Sequence, residues 1–444
     1  MRVLVSTSLV STTPGHGAPV AVHRQATALQ RLGADVLVTA PEVDGAPGSQ
    51  AFPVEPHSSD TRGTYCGYKV PDPTGVSAIE DIIRRWRPDV VYDVHGTASG
   101  MEAATRARIP TALLVGDYAW LCPRLTMVDT RRRRCTGPES VEKCFACMNG
   151  GAAPGRRIVQ SIVRRAEQSV LARPISTIGA LQSFRLWAAL HRSLPHLERL
   201  RAKVDRFIIG DRNAYEYFVR HGVPAEKAVR IPQCLPKEAL VVRRVSGFPD
   251  KAVRERPVRF GFVGRLDYDK GLEVLARAFH GLPDDTPAEL WIIHSQLATA
   301  DKIAPLFPDQ ELFRRHVSSG RIRLVRPSDA ESLYRTMGEV DVGVIPSLAF
   351  ESPSYVMLEF AAQRTPVIRS ESAGMEHVIQ DGINGRTVPY DDVPALRAAL
   401  QEVVDDPSLL ARWSARLPPI GDDSEYATKL LQVFASLRDR SRRD

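Results

Sequence analysis

The sequence predicts an α/β protein built from two doubly wound, Rossmann-like units that face each other across a cleft. Three observations carry this. Short apolar runs alternate with amphipathic segments over residues 1–145 and again from residue 206, the pattern of parallel strands covered by helices on both faces. The alternation lapses between Pro236 and Glu255 and restarts at Val258, so there are two units. A chain of 444 residues has room for two or three domains with ample core.

In the first unit, Arg2–Ser6, Val36–Thr39, Asp89–Val94 and Thr111–Val115 read as strands. Val20–Leu32, Ser77–Trp86 and Ser99–Ala107 read as helices, with Gly33 and Pro88 as stops. Loops that follow such strands gather on one edge of the sheet, where ligands bind. Gly15 and Gly17 in the first loop, His95 after the third strand and Asp117 after the fourth are therefore candidates for a ligand pocket. The first loop has neither a Walker lysine nor a G-x-G-x-x-G pattern.

Residues 118–205 read as an insertion in this unit. Cys122, Cys135, Cys144 and Cys147 follow a C-x12-C-x8-C-x2-C spacing. Four thiolates at such spacing suit a closed, structural zinc site, with an iron–sulfur cluster as the alternative. Arg131 to Arg134 stand in the same polar loop. A basic helical segment follows, with Phe184, Trp187, Leu190, Leu194 and Leu197 as its apolar stripe. It reads either as a membrane-surface element or, the favoured reading, as an excursion packed on its own domain. Arg206–Ile209, Arg212–Arg220 and Val229–Pro232 resume the strand–helix–strand pattern.

In the second unit, strands are expected at Arg259–Val263, Glu289–Ile293, Arg321–Val325, Val342–Ile345, Pro366–Arg369 and Arg386–Val388. Helices are expected at Leu272–His280, Glu331–Met337, Tyr355–Gln363 and Val393–Val404, with a last amphipathic helix at Glu425–Arg438. The domain plan is 1–240, a linker at 241–256, 257–420, and a final helix within 421–444 returning to the first domain.

Two stretches of the second unit carry chemistry. Gly264-Arg265 and then Lys270, between a strand and a helix, make an anion clamp: arginine offers a planar fork and lysine a point charge. Glu351 and Glu359 stand eight positions apart, one in a strand-end loop and one inside the next helix, so both can fall on one face. Between them, the helix start at Ser354, Tyr355 and Val356 offers free N–H groups to an anion. Acidic acceptors beside a phosphate-friendly helix end suit a sugar nucleotide.

These stretches, with Thr365-Pro366-Val367-Ile368 and the Gly374, Glu376, Asp381-Gly382-Ile383-Asn384-Gly385 path, resemble glycosyltransferase family 4, the retaining nucleotide-sugar transferases of the GT-B fold. The resemblance covers most of residues 256–405. It implies that Glu359 holds ribose hydroxyls and Glu351 sugar hydroxyls. It also implies that Arg265 and Lys270 neutralise the departing diphosphate, with no catalytic metal. Gly116, Ser354 and Gly17-Ala18 depart from the family pattern, which fits an unusual donor sugar.

The partners implied are a nucleoside diphosphate sugar and a small-molecule acceptor such as an aminocyclitol, inositol or thiol in bacterial natural-product biosynthesis. The alternative is a peripheral membrane enzyme of envelope polysaccharide or glycolipid synthesis. The net charge of +7 would also attract nucleic acid, but interleaved aromatics and a nucleic-acid fold are missing. No apolar run spans a membrane and the N-terminus reads as a strand, not a signal peptide, so a cytoplasmic location is expected.

Overall fold

The computed structural model describes residues 1–11, 17–44, 52–59, 71–94, 98–129, 131–148, 179–241, 256–294, 299–350 and 354–441. In the first domain the strands are β1 Arg2–Ser6, β2 Leu9–Ser11, β3 Asp35–Ala40, β4 Glu42–Asp44, β5 Val54–Pro56, β6 Val90–Val94, β7 Thr111–Val115, β8 Arg206–Ile209 and β9 Ala228–Arg230. Its helices are α1 Gly17–Arg31, α2 Pro73–Trp86, α3 Ala98–Arg106, α4 Val141–Met148, α5 Gly179–Lys203 and α6 Arg212–Arg220. Among the described residues one sheet runs β5-β3-β1-β6-β7-β8-β9, and its pairings are parallel. β2 and β4 pair separately.

The alternation rule explains why Val3, Leu4 and Val5 of β1 are all apolar. Val3 and Val5 enter the cluster packed by α1, whereas Leu4 enters the opposite cluster with Ile79, Ile82 and Ile83 of α2. Each face is sealed by helices, so neither set of side chains meets water.

The second domain contains β10 Val258–Val263, β11 Ala288–Ile293, β12 Ile322–Val325, β13 Val342–Ile345, β14 Val367–Ser370 and β15 Gly385–Val388. Around them lie α7 Leu272–His280, α8 Gln310–Ser319, α9 Ala330–Glu339, α10 Tyr355–Ala362, α11 Val393–Asp405 and α12 Ser408–Ala415. The strand order is β12-β11-β10-β13-β14-β15, again parallel. Order reverses beside β10, so the crevice outside β10 and β13 is the switch point where an open sheet binds ligands.

The last helix, α13 Asp423–Ser441, lies on the first domain: Tyr426, Leu430 and Phe434 join the cluster of β1, β6 and α1. No described helix is long and apolar enough to cross a membrane.

The expected strands of the second unit all appear, with edges moved by a residue or so. β2, β4, β5, α4, α8 and α12 are additional to the expected elements. The first three are three-residue edge pieces, too short to show a period.

Candidate functional site

The basic turn is built by backbone constraint. Gly271 has φ +74°, and a Cβ there would overlap the Pro346 carbonyl oxygen. Leu348 and Ala349 donate backbone N–H bonds of 2.8 and 3.3 Å to the Asp269 carbonyl, which locks the turn to the loop after β13. A Cβ on Gly264 would crowd the Phe262 ring at 3.3 Å and stand at ordinary contact, 3.8 Å, from Lys270 Cγ. Arg265 is half exposed and ion-paired with Asp267 at 3.0 Å, so an incoming anion must compete with a carboxylate of the same turn.

At the start of α10, Ser354 is buried and its N–H donates to Met375 Sδ at 3.1 Å. Thioether sulfur is a weak acceptor, so an oxygen anion would be a better partner for that N–H. Tyr355 reaches the first domain, its hydroxyl donating to Gln233 Oε1 at 2.8 Å. Val356 is partly buried against the second domain's core. Glu359 is 8% exposed. Burial pushes its carboxyl up to about 7, and Arg24 of α1 pulls the other way. Burial disfavours the Arg24 cation, yet Tyr334, Glu359 and Asp423 together hold it above its ordinary value. Asp423 is itself raised to about 6, chiefly by burial. One guanidinium of the first domain therefore faces two carboxyls whose ionisation burial disfavours.

Other contacts tie the two domains at the same edges. Met375 donates its N–H to Asp211 Oδ2 at 2.8 Å, and Asn213 hydrogen-bonds Glu376. Phe350 donates its N–H to the Thr126 carbonyl at 3.1 Å. Its ring lies 6.0 Å from that of Tyr118. Loops after β7 and β8 thus face loops after β10, β13 and β14, and the cleft lies between the carboxyl ends of both sheets.

Of the residues singled out in the sequence, Arg265, Lys270, Gly264, Ser354, Tyr355, Val356 and Glu359 gather along this one edge. Asp117 lies across from them, where its Oδ1 accepts the Ala119 N–H at 2.7 Å and shapes the turn after β7. Gly17 opens α1. Gly15, His95 and Glu351 lie outside the described residues.

The four cysteines are neighbours but do not form the expected thiolate site. Burial first, and then Cys122, Cys135 and Cys147, push the Cys144 thiol up to about 12. Among the described residues, no group of three or more His, Cys, Asp or Glu side chains is arranged to hold a metal ion. The expected zinc is therefore not supported.

Arg24, Asp211, Met375 and the arginine pair Arg132 and Arg134 carried no local signal for this site. Arg24 is one arginine among many, and its partners lie hundreds of positions away. Only the run Arg131 to Arg134 was visible, as a polar loop.

Residues 257–406 match the family model described as "Glycosyl transferases group 1". These residues form a group 1 glycosyltransferase domain. The chain is 29% identical over 195 residues to glycogen synthase of Mycobacterium tuberculosis H37Rv, covering 43% of this chain and 45% of that protein. It is 31% identical over 132 residues to phosphatidyl-myo-inositol mannosyltransferase of Mycolicibacterium smegmatis, covering 27% and 34%. The chain thus spans less than half the length of these curated relatives. In fold the similarity extends to the whole chain. Anabaena Alr3699/HepE in complex with UDP superposes with a TM-score of 0.63 at 16% identity, over 98% of this chain and all of that one. Sucrose-phosphate synthase of Thermosynechococcus elongatus gives 0.62 at 15% identity, over 98% of each. Both domains together have the GT-B fold.

Proposed function

We propose that this protein is a retaining glycosyltransferase that moves a sugar from a nucleoside diphosphate sugar to a small-molecule acceptor held by the first domain. The observation that carries the reading is the convergence, along one sheet edge, of the Arg265–Lys270 turn, the α10 N-terminus and buried Glu359. The roles are those the family resemblance implies, and the chemistry of each group suits them. Arg265 and Lys270 stabilise charge that develops on the diphosphate as it leaves, which needs no proton transfer from the protein. Glu359 accepts hydrogen bonds from the ribose hydroxyls, and Glu351 from those of the sugar. The bond from sugar C1 to the phosphate oxygen breaks as the acceptor oxygen bonds to C1 on the same face. The departing diphosphate takes the acceptor's proton. Closure of the cleft excludes water from this step.

The small acceptor draws support from two further likenesses. The chain is 25% identical over 167 residues to alpha-D-kanosaminyltransferase of Streptomyces kanamyceticus. It is 30% identical over 183 residues to D-inositol 3-phosphate glycosyltransferase of Corynebacterium urealyticum. Transfer to a lipid-borne acceptor is the alternative, through the mannosyltransferase likeness. Against it, Leu190 of α5 is fully buried with Leu186 against Cys144 and Phe145, and Trp187 and Leu194 pack on the same cluster. That part of the apolar stripe faces protein.

The test is a thermal-shift titration with UDP, GDP, ADP and TDP. A ligand that binds only the native state raises apparent stability by mass action, about 2.7 kcal/mol at a hundredfold excess over Kd. One nucleotide should raise the midpoint, and Glu359→Ala should abolish that rise. No shift with any of the four, repeated with UDP-glucose, would sink the donor-site reading.

A further inference from the structure

The run Arg131 to Arg134 belongs to a hairpin whose shape is set by Asp129. Asp129 Oδ1 accepts the N–H groups of Arg131 and Arg133 at 2.8 and 2.9 Å. Val128 and Arg134 bridge in antiparallel fashion, and Cys135 donates its N–H to the Met127 carbonyl at 2.8 Å. Arg132 sits at the tip with φ +62°, a conformation rare for a side-chain-bearing residue. It persists because the surrounding bonds over-determine the turn.

The tip does not point into water. Arg132 crosses to the second domain, where its two guanidinium nitrogens pair with Glu273 at 3.1 Å and Asp391 at 3.0 Å. The same guanidinium lies 4.7 Å from the centre of the Tyr268 ring. Tyr268 is the first residue of the 3₁₀ turn Tyr268–Lys270, and Glu273 stands in the first turn of α7. Arg134 pairs with Glu371 at 2.8 Å and lies over Phe350, 4.8 Å from its centroid. Tyr390 closes the arrangement: its hydroxyl donates to the Arg132 carbonyl at 2.6 Å and accepts the Arg134 N–H at 3.1 Å. At the base, the Tyr217 hydroxyl donates to the Cys135 carbonyl at 2.6 Å.

We infer that Arg132 is a positioning residue for the basic turn that carries Arg265 and Lys270, and that the cysteine-bearing segment exists to present it. The inference rests on the reading of that turn as the diphosphate site. Arginine suits the task because one rigid fork can serve two carboxylates while its face covers an aromatic ring. Lysine has a single point charge and cannot do all three. The clamp links the first domain to the basic turn: Arg132 holds Tyr268 and Glu273, which flank Lys270 in the sequence.

The experiment compares wild type with Arg132→Ala, Arg132→Lys and Glu273→Gln by hydrogen exchange of peptides spanning 264–273. It also measures UDP affinity by calorimetry at matched melting temperature. In Arg132→Ala the turn should exchange at least about fivefold faster and UDP should bind about five- to tenfold more weakly, the scale of a partly exposed charge network with a cation–π contact. Arg132→Lys should recover only part of this. Glu273→Gln combined with Arg132→Ala should add less than the sum of the two. Unchanged exchange in the turn overturns the inference. Faster exchange with wild-type UDP affinity overturns it too, because the contact would then be only structural. Should wild type bind none of the four nucleotides, the donor reading fails by itself, and the exchange comparison alone decides the clamp.

Discussion

At the scale of single residues, Glu359 joins binding chemistry to a stability cost. Its carboxyl is raised by burial to about 7 from an ordinary value of 4.5. An acid whose folded pKa is raised contributes stability that is fully present below the unfolded value and is lost as pH rises through the folded one. We therefore expect wild type to lose stability between about pH 4.5 and 7 through this group, with Asp423 adding to the trend. Glu359→Gln should flatten that part of the profile in urea titrations across pH and be more stable than wild type at pH 8, while binding no nucleotide. A variant as pH-dependent as wild type would show that Arg24 fully compensates the burial. Lys270→Ala should lower turnover roughly 10²-fold, the scale of losing one electrostatic stabiliser, with kcat falling more than KM changes. Equal turnover would remove Lys270 from the site.

At the scale of elements, the site depends on how strands end and helices begin. Gly271 is the clearest case. Its left-handed φ and its contact with the Pro346 carbonyl mean that any side chain there forces the loop after β13 away from the Lys270 turn. Gly271→Ala should cost about 1–3 kcal/mol of stability, the range for strained backbone sites, and should also weaken UDP binding. A folded variant with normal affinity would show that the turn tolerates displacement. Asp211 plays a related part between elements. It is fully buried, caps α6 by accepting the Ala214 N–H at 3.0 Å, and accepts the Met375 N–H with its other oxygen. One carboxylate thereby fixes both a helix end in the first domain and the loop that covers the α10 N-terminus.

At the scale of the whole molecule, α13 makes the chain's end part of its beginning. Phe434 is fully buried in the first domain's core, its ring 5.2 Å from that of Tyr92. Phe434→Ala should cost about 3–5 kcal/mol, as for other large core aromatics, and should lower the melting temperature. A change under 1 kcal/mol would show that α13 is only loosely docked. The parallel strands, most of the long helices and the chemical edge around Arg265, Lys270 and Glu359 were legible in the sequence, because they rest on short-range signals: apolar period, glycine positions, and charges at fixed spacing beside a strand end. What spans the cleft was not legible. Arg24 beside Glu359, Arg132 between Glu273 and Asp391, and Phe350 under Arg134 join residues more than a hundred positions apart, and nothing local marks an arginine whose partner lies in another domain. The cysteines show the same limit from the other side. Their spacing predicted metal ligands, but spacing sets only what can meet; what the hairpin between them grips was decided by the packing of one domain on the other.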